Sequence, residues 1–531
     1  MSLKLHNSLT KRTEEFVPRE PGKVAMYVCG PNLYGPAHVG HGYSYAFFDV
    51  LRRYLEYRGY EVEQIQNFTD IEDRIIERAV REHRNILEIA QEYIDRFLRE
   101  MDALGIRRAD HYPRASETIP KIIEIIYGLV ASGHAYQVNG DVYFRVTSFP
   151  RYLRLSGQSL EDMQAGARIE PDPRKEHPMD FSLWKAAKPG EPSWPSPWGS
   201  GRPGWHIECS AMSLQYLGEQ IDIHGGGEDL VFPHHENEIA QSEAFTGRSP
   251  FVRYWLHNAL MKLSEGDEMH RHLGNFVSLQ EALARYEPDA IRIFFLGAHY
   301  RTPLRWTDDA VQASARGLER LRTAFANADQ AIAASGDRKD GGQREAAQRA
   351  RATFEQAMDD DLNTPQALAA LFTLAAEINR TADAVRKGTS GAMGAPGLRE
   401  ARDVLRELLG VLGLVVVSPD QESLLATFAL IPSGKDTLVP GAFREELTSR
   451  IQKLAEDLRR KEGHFYPAEP PQHLEELVVY VLDGRERARA TRNFKAADEI
   501  RNDLSKVGII VEDNPGRPRW RIATPDRQAE D

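Results

Sequence analysis

The sequence predicts an α/β fold, a doubly wound parallel sheet carrying an inserted subdomain, followed by a helical bundle and a small α+β C-terminal domain. Two separated strand–helix–strand patterns and a long helical stretch behind them carry that expectation. Lys23 to Val28 reads as a strand, and a Gly- and Pro-punctuated turn runs on through Gly42. Tyr43 to Arg58 then places Phe47, Val50, Leu51, Tyr54 and Leu55 at helical spacing, with Gly59 as the stop. Glu61 to Phe68 reads as the next strand, which completes one βαβ unit.

The second pattern begins near Trp205. A helix to about Tyr216 is followed by a strand at Ile221 to His224, a glycine turn, a helix from Pro233 to Phe245 and a strand from Tyr254 to Met261. Between the two halves, residues 112–204 include PGEPSWPSPWGSGRPGW, unlike either half, and are read as an inserted subdomain. Beyond Trp306 the pattern is helical, broken by SGDRKDGG at Ser335 and KGTSGAMGAPG at Lys387. Thr491 to Ile522 reads as helix, strand, Asn-Pro-Gly turn and strand. The expected domains are therefore 1–311, with the insertion at 112–204, then 312–435 and 436–531.

Composition narrows the function classes. At 531 residues the chain is long enough for several cores, and its net charge of -12 argues against general electrostatic binding of nucleic acid. Any RNA contact must be local, and the arginines and lysines between Arg485 and Arg521 are the candidate. No apolar run reaches membrane-spanning length, so no membrane partner is expected. A polar N-terminal stretch and only two cysteines fit a reducing, cytoplasmic location.

Those two cysteines stand where a doubly wound sheet presents groups to its crevice: Cys29 at the end of the first strand and Cys209 in the helix after Trp205. PHHENE at Pro233 adds His234 and Glu238, four positions apart on one helix face. Cys29, Cys209, His234 and Glu238 make a zinc set, although His235 and Glu238, three apart, satisfy spacing equally well. Zinc favours thiolate over hydroxyl ligands and lowers the pKa of a bound thiol. His38-Val39-Gly40-His41 follows a strand and turn and opens a helix, an arrangement suited to phosphate oxygens.

The ordered series CGPNLYGPAHVGH from Cys29, NFTDIEDRII from Asn67, SGQSLEDMQAGARIE from Ser156, GWHIECSAM from Gly204, DIHGGGEDLVFPHHENEIAQSE from Asp222 and RNFKAADEIRNDLSKVGIIVED from Arg492 resembles the cysteinyl-tRNA synthetases. The resemblance implies a Rossmann-like class I catalytic domain, helices for the tRNA stem and a C-terminal anticodon-binding region. It implies one zinc on Cys29, Cys209, His234 and Glu238, and magnesium accompanying ATP. It places Thr69, Trp205 and His224 around cysteine, and His38, Gly40, His41, Gly226, Gly227 and Asp229 around ATP. The implied partners are cysteine tRNA, ATP and L-cysteine, with a monomeric chain. Discrimination against serine would follow from the metal, so no editing domain is expected.

The chain departs from the family's KMSKS loop, which should fall at Glu268 to His272 but reads Glu-Met-His-Arg-His between intact WLHNAL and LGNFVSLQEAL flanks. Arg271 takes the place of the second lysine and is expected to serve ATP as the remaining loop cation, although its planar fork differs from an ammonium. Glu268 opposes the negative charge that develops as pyrophosphate leaves. Asn32, Arg74 and Glu77 are further departures. Two rival readings share these features: a mycothiol-type ligase joining cysteine to an amino sugar, and a noncatalytic tRNA-binding or cysteine-sensing paralogue.

Overall fold

The computed structural model describes residues 2–159, 172–262, 276–335, 345–387, 394–416, 441–461, 480–481, 485, 487–488, 493–506, 509–514 and 517–522. The chain divides into two compact units, Met1–Val416 and Val417–Asp531.

In the first unit, strands β1 (Lys23–Val28), β2 (Glu61–Gln66), β3 (Ile221–Gly227) and β4 (Val252–Asn258) form a wholly parallel sheet in the order β4-β3-β1-β2. β1 pairs on one side with β2 and on the other with β3, so the direction of winding reverses between β1 and β3. Val28 pairs with Gly225, and Cys29 N donates to the Gly225 carbonyl at 3.0 Å. A crevice therefore opens beyond the C-terminal ends of β1 and β3, the position at which open α/β sheets bind ligands.

Helix α1 (Val39–Tyr57) returns the chain from β1 to β2 and buries Val39, Phe47, Phe48, Val50, Leu51, Tyr54 and Leu55. It starts four residues before the helix-period apolar run, because the His-Val-Gly-His segment itself forms the first turn. Gly59, at φ 88°, lets the chain leave the helix, as its position predicts. Helix α2 (Trp205–Leu217) precedes β3, and helix α3 (Glu236–Thr246) joins β3 to β4.

One of the later boundaries agrees with expectation and one differs. The helix Glu236–Thr246 is preceded by the turn Val231–His235, in which Phe232 is extended (φ -139°, ψ 133°) and the residues from Pro233 on keep helical backbone, as the expected start at Pro233 requires. A residue before proline is biased out of the helical region. The last expected strand ends at Asn258, where Ala259 N turns to the Tyr300 carbonyl; Met261–Lys262 is a separate short strand paired with Leu304–Arg305.

The insertion holds a helix, Ile119–Ala131, and a four-stranded antiparallel sheet made by Ala135–Val138, Asp141–Phe144, Phe181–Ala186 and Gly201–Pro203 in sequence order. Helices Asp308–Ser335, Glu345–Asp359, Thr364–Arg386 and Gly394–Val411 pack together and share one apolar core with α1. Polar contacts reinforce that junction: Tyr54 Oη donates to Asp359 Oδ1 at 2.7 Å, and Arg58 Nη1 donates to the same oxygen at 2.5 Å.

The second unit contains helices Gly441–Lys461 and Phe494–Lys506 and an antiparallel hairpin, Ile509–Asn514 with Arg517–Ile522. This is the helix–strand–strand order read from the sequence. Arg485 is 1% exposed, so it does not belong to a solvent-facing basic patch.

Candidate active site

Cys29 leaves β1 at the crevice and Cys209 lies in the second turn of α2. His234 sits in the irregular turn Val231–His235, and Glu238 in the first turn of α3. All four side chains are buried, and their donor atoms gather within 4.8 Å of one another. Cys29 Sγ lies 3.9 Å from Cys209 Sγ and 3.7 Å from Glu238 Oε1, and His234 Nε2 lies 3.1 Å from Glu238 Oε1. Tetrahedral zinc at its usual bond lengths separates two sulfurs by about 3.8 Å, sulfur and oxygen by about 3.5 Å and nitrogen and oxygen by about 3.3 Å. The donors thus stand close to the spacing that zinc requires. The irregular turn does not spoil the four-residue spacing of His234 and Glu238.

The electrostatics call for a cation. Burial, then the neighbouring Cys209 and Glu238, pushes the Cys29 thiol well above its ordinary range, while the hydrogen bond from Cys29 lowers Cys209 to about 7. Burial also raises Glu238 well above the usual carboxylate range. Cys29 and Glu238, packed out of water beside a more acidic Cys209, resist carrying charge, and a divalent ion would remove that resistance. The imidazoles nearby are neutral: burial, then neighbouring histidines, hold His224 and His235 well below the usual value, and burial followed by Lys11 lowers His257 to about 3.

Both histidines of the His234-His235 pair face this cavity, so the ambiguity left by spacing persists in space. His235 Nε2 lies 3.2 Å from Cys29 Sγ, and His224 Nε2 lies 3.5 Å from the same sulfur. Cys29, His224, His235 and Glu238 form a second four-donor group. His206 Nδ1 stands 3.0 Å from His234 Nδ1, and His257 Nε2 stands 2.7 Å from His235 Nδ1. His206 and His257 lie inside the GWHIECSAM and WLHNAL motifs, yet sequence reasoning assigned them no role. Their partners are 28 and 22 positions away, beyond the reach of helical or strand periodicity.

Of the residues expected around cysteine, Trp205 and His224 stand at this cluster, and Thr69 lies on the segment beside Cys29. The Trp205 ring lies 4.4 Å from the His234 ring, and His224 stacks on Trp255 at 4.5 Å. Thr69 is buried and bridges to Asn32 on the segment that follows Cys29. Asn67 joins them: its Oδ1 accepts from Gly30 N at 2.8 Å, and its Nδ2 donates to Thr69 Oγ1 at 3.3 Å. A side chain at Gly30 would overlap the Asn67 carbonyl, so only glycine permits this approach.

At the expected ATP end, His38 caps α1 and His41 closes the cap. His38 N donates to His41 Nδ1 at 3.2 Å, and the two rings lie 3.8 Å apart. With Nδ1 acting as acceptor, neutral His41 carries its proton on Nε2. A Cβ on Gly40 would crowd the His38 ring. Tyr45 Oη donates to the Cys29 carbonyl at 3.1 Å, tying α1 to the cysteine end of the crevice. Gly226 and Gly227 end β3, and Asp229 lies in the turn Glu228–Leu230 that follows. A Cβ on Gly226 would crowd Leu230 and His235. Arg271, with the whole segment Glu268 to His272, lies outside the described residues.

Residues 15–316 match the family described as tRNA synthetases class I (C) catalytic domain. Residues 353–416 match the DALR domain, and residues 474–521 match the cysteinyl-tRNA ligase anticodon binding domain. The chain is 46% identical over 523 residues to a cysteine–tRNA ligase of Pelotomaculum thermopropionicum, covering 98% of this chain and 99% of the relative. It is 43% identical over 525 residues to the cysteine–tRNA ligase of Geobacter sulfurreducens, covering 98% of this chain and 100% of the relative. Among solved structures, the fold resembles Mycobacterium tuberculosis methionyl-tRNA synthetase bound by methionyl-adenylate, with a TM-score of 0.55 and 15% identity over 76% of this chain and 94% of that one. By these matches, and with a buried Cys/His/Glu cluster at the switch point of its sheet, the chain belongs to the cysteine–tRNA ligase family of class I aminoacyl-tRNA synthetases.

Proposed function

We infer that this ATP-dependent ligase activates cysteine at the crevice between β1 and β3 and transfers it to the 3′ end of cysteine tRNA. The observation that carries the reading is the buried group Cys29, Cys209, His234 and Glu238, tied through Tyr45 to a helix that opens on two imidazoles. In the first step the cysteine carboxylate attacks the α-phosphate of ATP and pyrophosphate leaves. In the second, a terminal ribose hydroxyl of the tRNA attacks the adenylate and AMP leaves.

Cys29, Cys209, His234 and Glu238 would hold one zinc, whose preference for thiolate over hydroxyl would supply the discrimination of cysteine from serine. Trp205, Thr69 and His224 would wall and orient the small substrate. His41 would donate from Nε2 to a phosphoryl oxygen, and His38 at the positive end of α1 would stand beside it, stabilising charge as it develops. Gly40, Gly226 and Gly227 would let backbone approach the nucleotide, with Asp229 beside them. Arg271 would meet the departing pyrophosphate, and magnesium would accompany ATP.

The catalytic part would run over 1–311, with the acceptor end of the tRNA at the insertion 112–204, the stem on 312–435 and the anticodon on 436–531. The family match at 474–521 favours tRNA over an amino-sugar acceptor, which offers nothing for an anticodon-binding domain to read. No helix among the described residues is long and apolar enough to cross a membrane. We further propose a monomeric, cytoplasmic enzyme, the former tested by sedimentation and the latter by cell fractionation.

Charging of a cysteine tRNA transcript by the purified protein, with cysteine or serine as substrate, tests the central reading. Charging with cysteine alone is expected. Absence of both charging and pyrophosphate exchange would overturn it, whereas exchange without charging would redirect the search to another acceptor.

A further inference from the structure

We propose that the cavity offers zinc a second position, in which His224 and His235 replace Cys209 and His234 while Cys29 and Glu238 are shared. This rests on the zinc reading above and extends it. Cys29 Sγ lies 3.5 Å from His224 Nε2 and 3.2 Å from His235 Nε2; Glu238 Oε2 lies 3.5 Å from the first nitrogen and Oε1 3.9 Å from the second. Tetrahedral zinc separates sulfur from nitrogen by about 3.5 Å and nitrogen from oxygen by about 3.3 Å, so both sulfur–nitrogen edges match closely, and the nitrogen–oxygen edges, one to each carboxylate oxygen, need a shortening of about 0.2–0.6 Å to close on the metal.

The shell behind His235 gives independent support. His235 Nδ1 lies 2.7 Å from His257 Nε2, and His257 Nδ1 lies 2.8 Å from Ser8 Oγ. If His235 Nδ1–H donates to His257 and His257 Nδ1–H donates to the serine oxygen, every contact in the chain is satisfied. The His235 Nε2 lone pair is then left facing Cys29 and Glu238. Metal-ligating histidines are commonly held in this manner, the remote ring nitrogen donating to an outer partner that fixes tautomer and orientation.

The two positions differ in chemistry. The first presents two thiolates and a carboxylate, and the second one thiolate, a carboxylate and two neutral imidazoles. His224 Nδ1 has no hydrogen-bond partner among the described residues, which places the second position below the first in affinity. Zinc therefore rests on Cys209 and His234 when both are present and moves across the Cys29–Glu238 edge when the first set is broken.

Zinc content after gel filtration, measured for the wild type, His235→Gln, His234→Ala and the His234→Ala/His235→Gln double variant, tests the proposal. The expectation is one zinc in the first three and a loss of at least tenfold in metal retention in the double variant. Cobalt substitution adds a readout independent of activity: thiolate-to-cobalt absorption should fall to about half in His234→Ala, as two sulfur ligands become one. Loss of zinc from His234→Ala, an undiminished two-thiolate band in that variant, or equal retention by the single and double variants would overturn the second position. Metal loss from His235→Gln alone would also overturn it, by making His235 a requirement of the first set. A wild-type protein that binds no zinc would instead overturn the metal reading itself.

Discussion

Arg292 donates from Nη2 to Asp49 Oδ2 at 2.7 Å, and neither side chain reaches solvent. The same guanidinium donates to the carbonyls of Leu104 and Leu412, so one residue fastens α1, the end of the helix Ile86–Ala103 and the end of the helix Gly394–Val411. Breaking a buried ion pair from one side leaves an uncompensated charge, at a cost of about 3–5 kcal/mol. Arg292→Met should therefore lower the urea-unfolding midpoint, though by less than a fully orphaned charge would, because Arg53 Nε still pairs with Asp49 Oδ2 at 2.8 Å; the Arg53→Met/Arg292→Met double variant should lose more than the two single losses added together.

The same pair sets an acid dependence. Burial alone would raise the Asp49 pKa, but Arg292 and Arg53 outweigh it and hold the group below its ordinary value. A carboxyl depressed on folding contributes stability above its unfolded pKa of about 3.9 and loses that contribution as pH falls through the folded value. The stability difference between wild type and Asp49→Asn should stay constant from pH 7 to about pH 5 and shrink below pH 4. Urea titrations at each pH measure it, and a difference that grows on acidification would contradict the ion pair.

Under the proposed function His41 has two separable tasks. Its Nδ1 accepts the cap hydrogen bond from His38 N, and its Nε2 is the atom assigned to phosphate. His41→Asn keeps a group near the Nδ1 position and removes the Nε2 donor; His41→Gln does the reverse. Asparagine should reduce kcat for pyrophosphate exchange by about 10²–10³ with little change in KM, and glutamine should retain more activity. Equal losses in the two variants would mean that the cap, rather than the donor, is what exchange depends on.

Gly30 admits no side chain because the Asn67 carbonyl occupies that space. Gly30→Ala should destabilise the protein by about 1–3 kcal/mol and raise KM for cysteine, since Asn67 also holds Thr69. Thermal unfolding and steady-state exchange read the two effects.

At the altered loop, Glu268→Lys should accelerate adenylation by about tenfold, because the position that the resemblance assigns to leaving pyrophosphate would change from a negative to a positive charge. Arg271→Ala should slow it. Protonation of His270 and His272 near pH 6.5 should narrow the gap to a KMSKS-restored variant in mild acid. A pH-independent rate ratio would reject that role.

Much of this site is legible in the sequence because its residues sit at strand ends and helix starts, which hydrophobic periodicity locates. Cys29 and the His38 cap follow directly from the end of β1 and the start of α1. The presence of both His234 and His235 at the cavity was less legible. Helical spacing puts either residue on the face of Glu238, three or four positions on, and gives no means of choosing between them; the structure brings both to Cys29 and Glu238. His206, His257 and Ser8 were invisible because their contacts cross between elements. The helix–strand–strand order of the C-terminal unit was readable, but the burial of Arg485 was not, since charge counting assumes exposure.

Cys29 and Cys209 lie 180 positions apart in the chain, with the insertion strung between them. During synthesis, a nascent protein has the first strand, its helix and the whole antiparallel insertion outside the ribosome before β3 can join the sheet. The donor group Cys29, Cys209, His234 and Glu238 cannot assemble until Glu238 has emerged. The insertion shares one apolar core with Tyr27, Ile65, Ile207 and Ile221 of the parallel sheet and its helices, so although it is synthesised first its core is filled only when β3 joins.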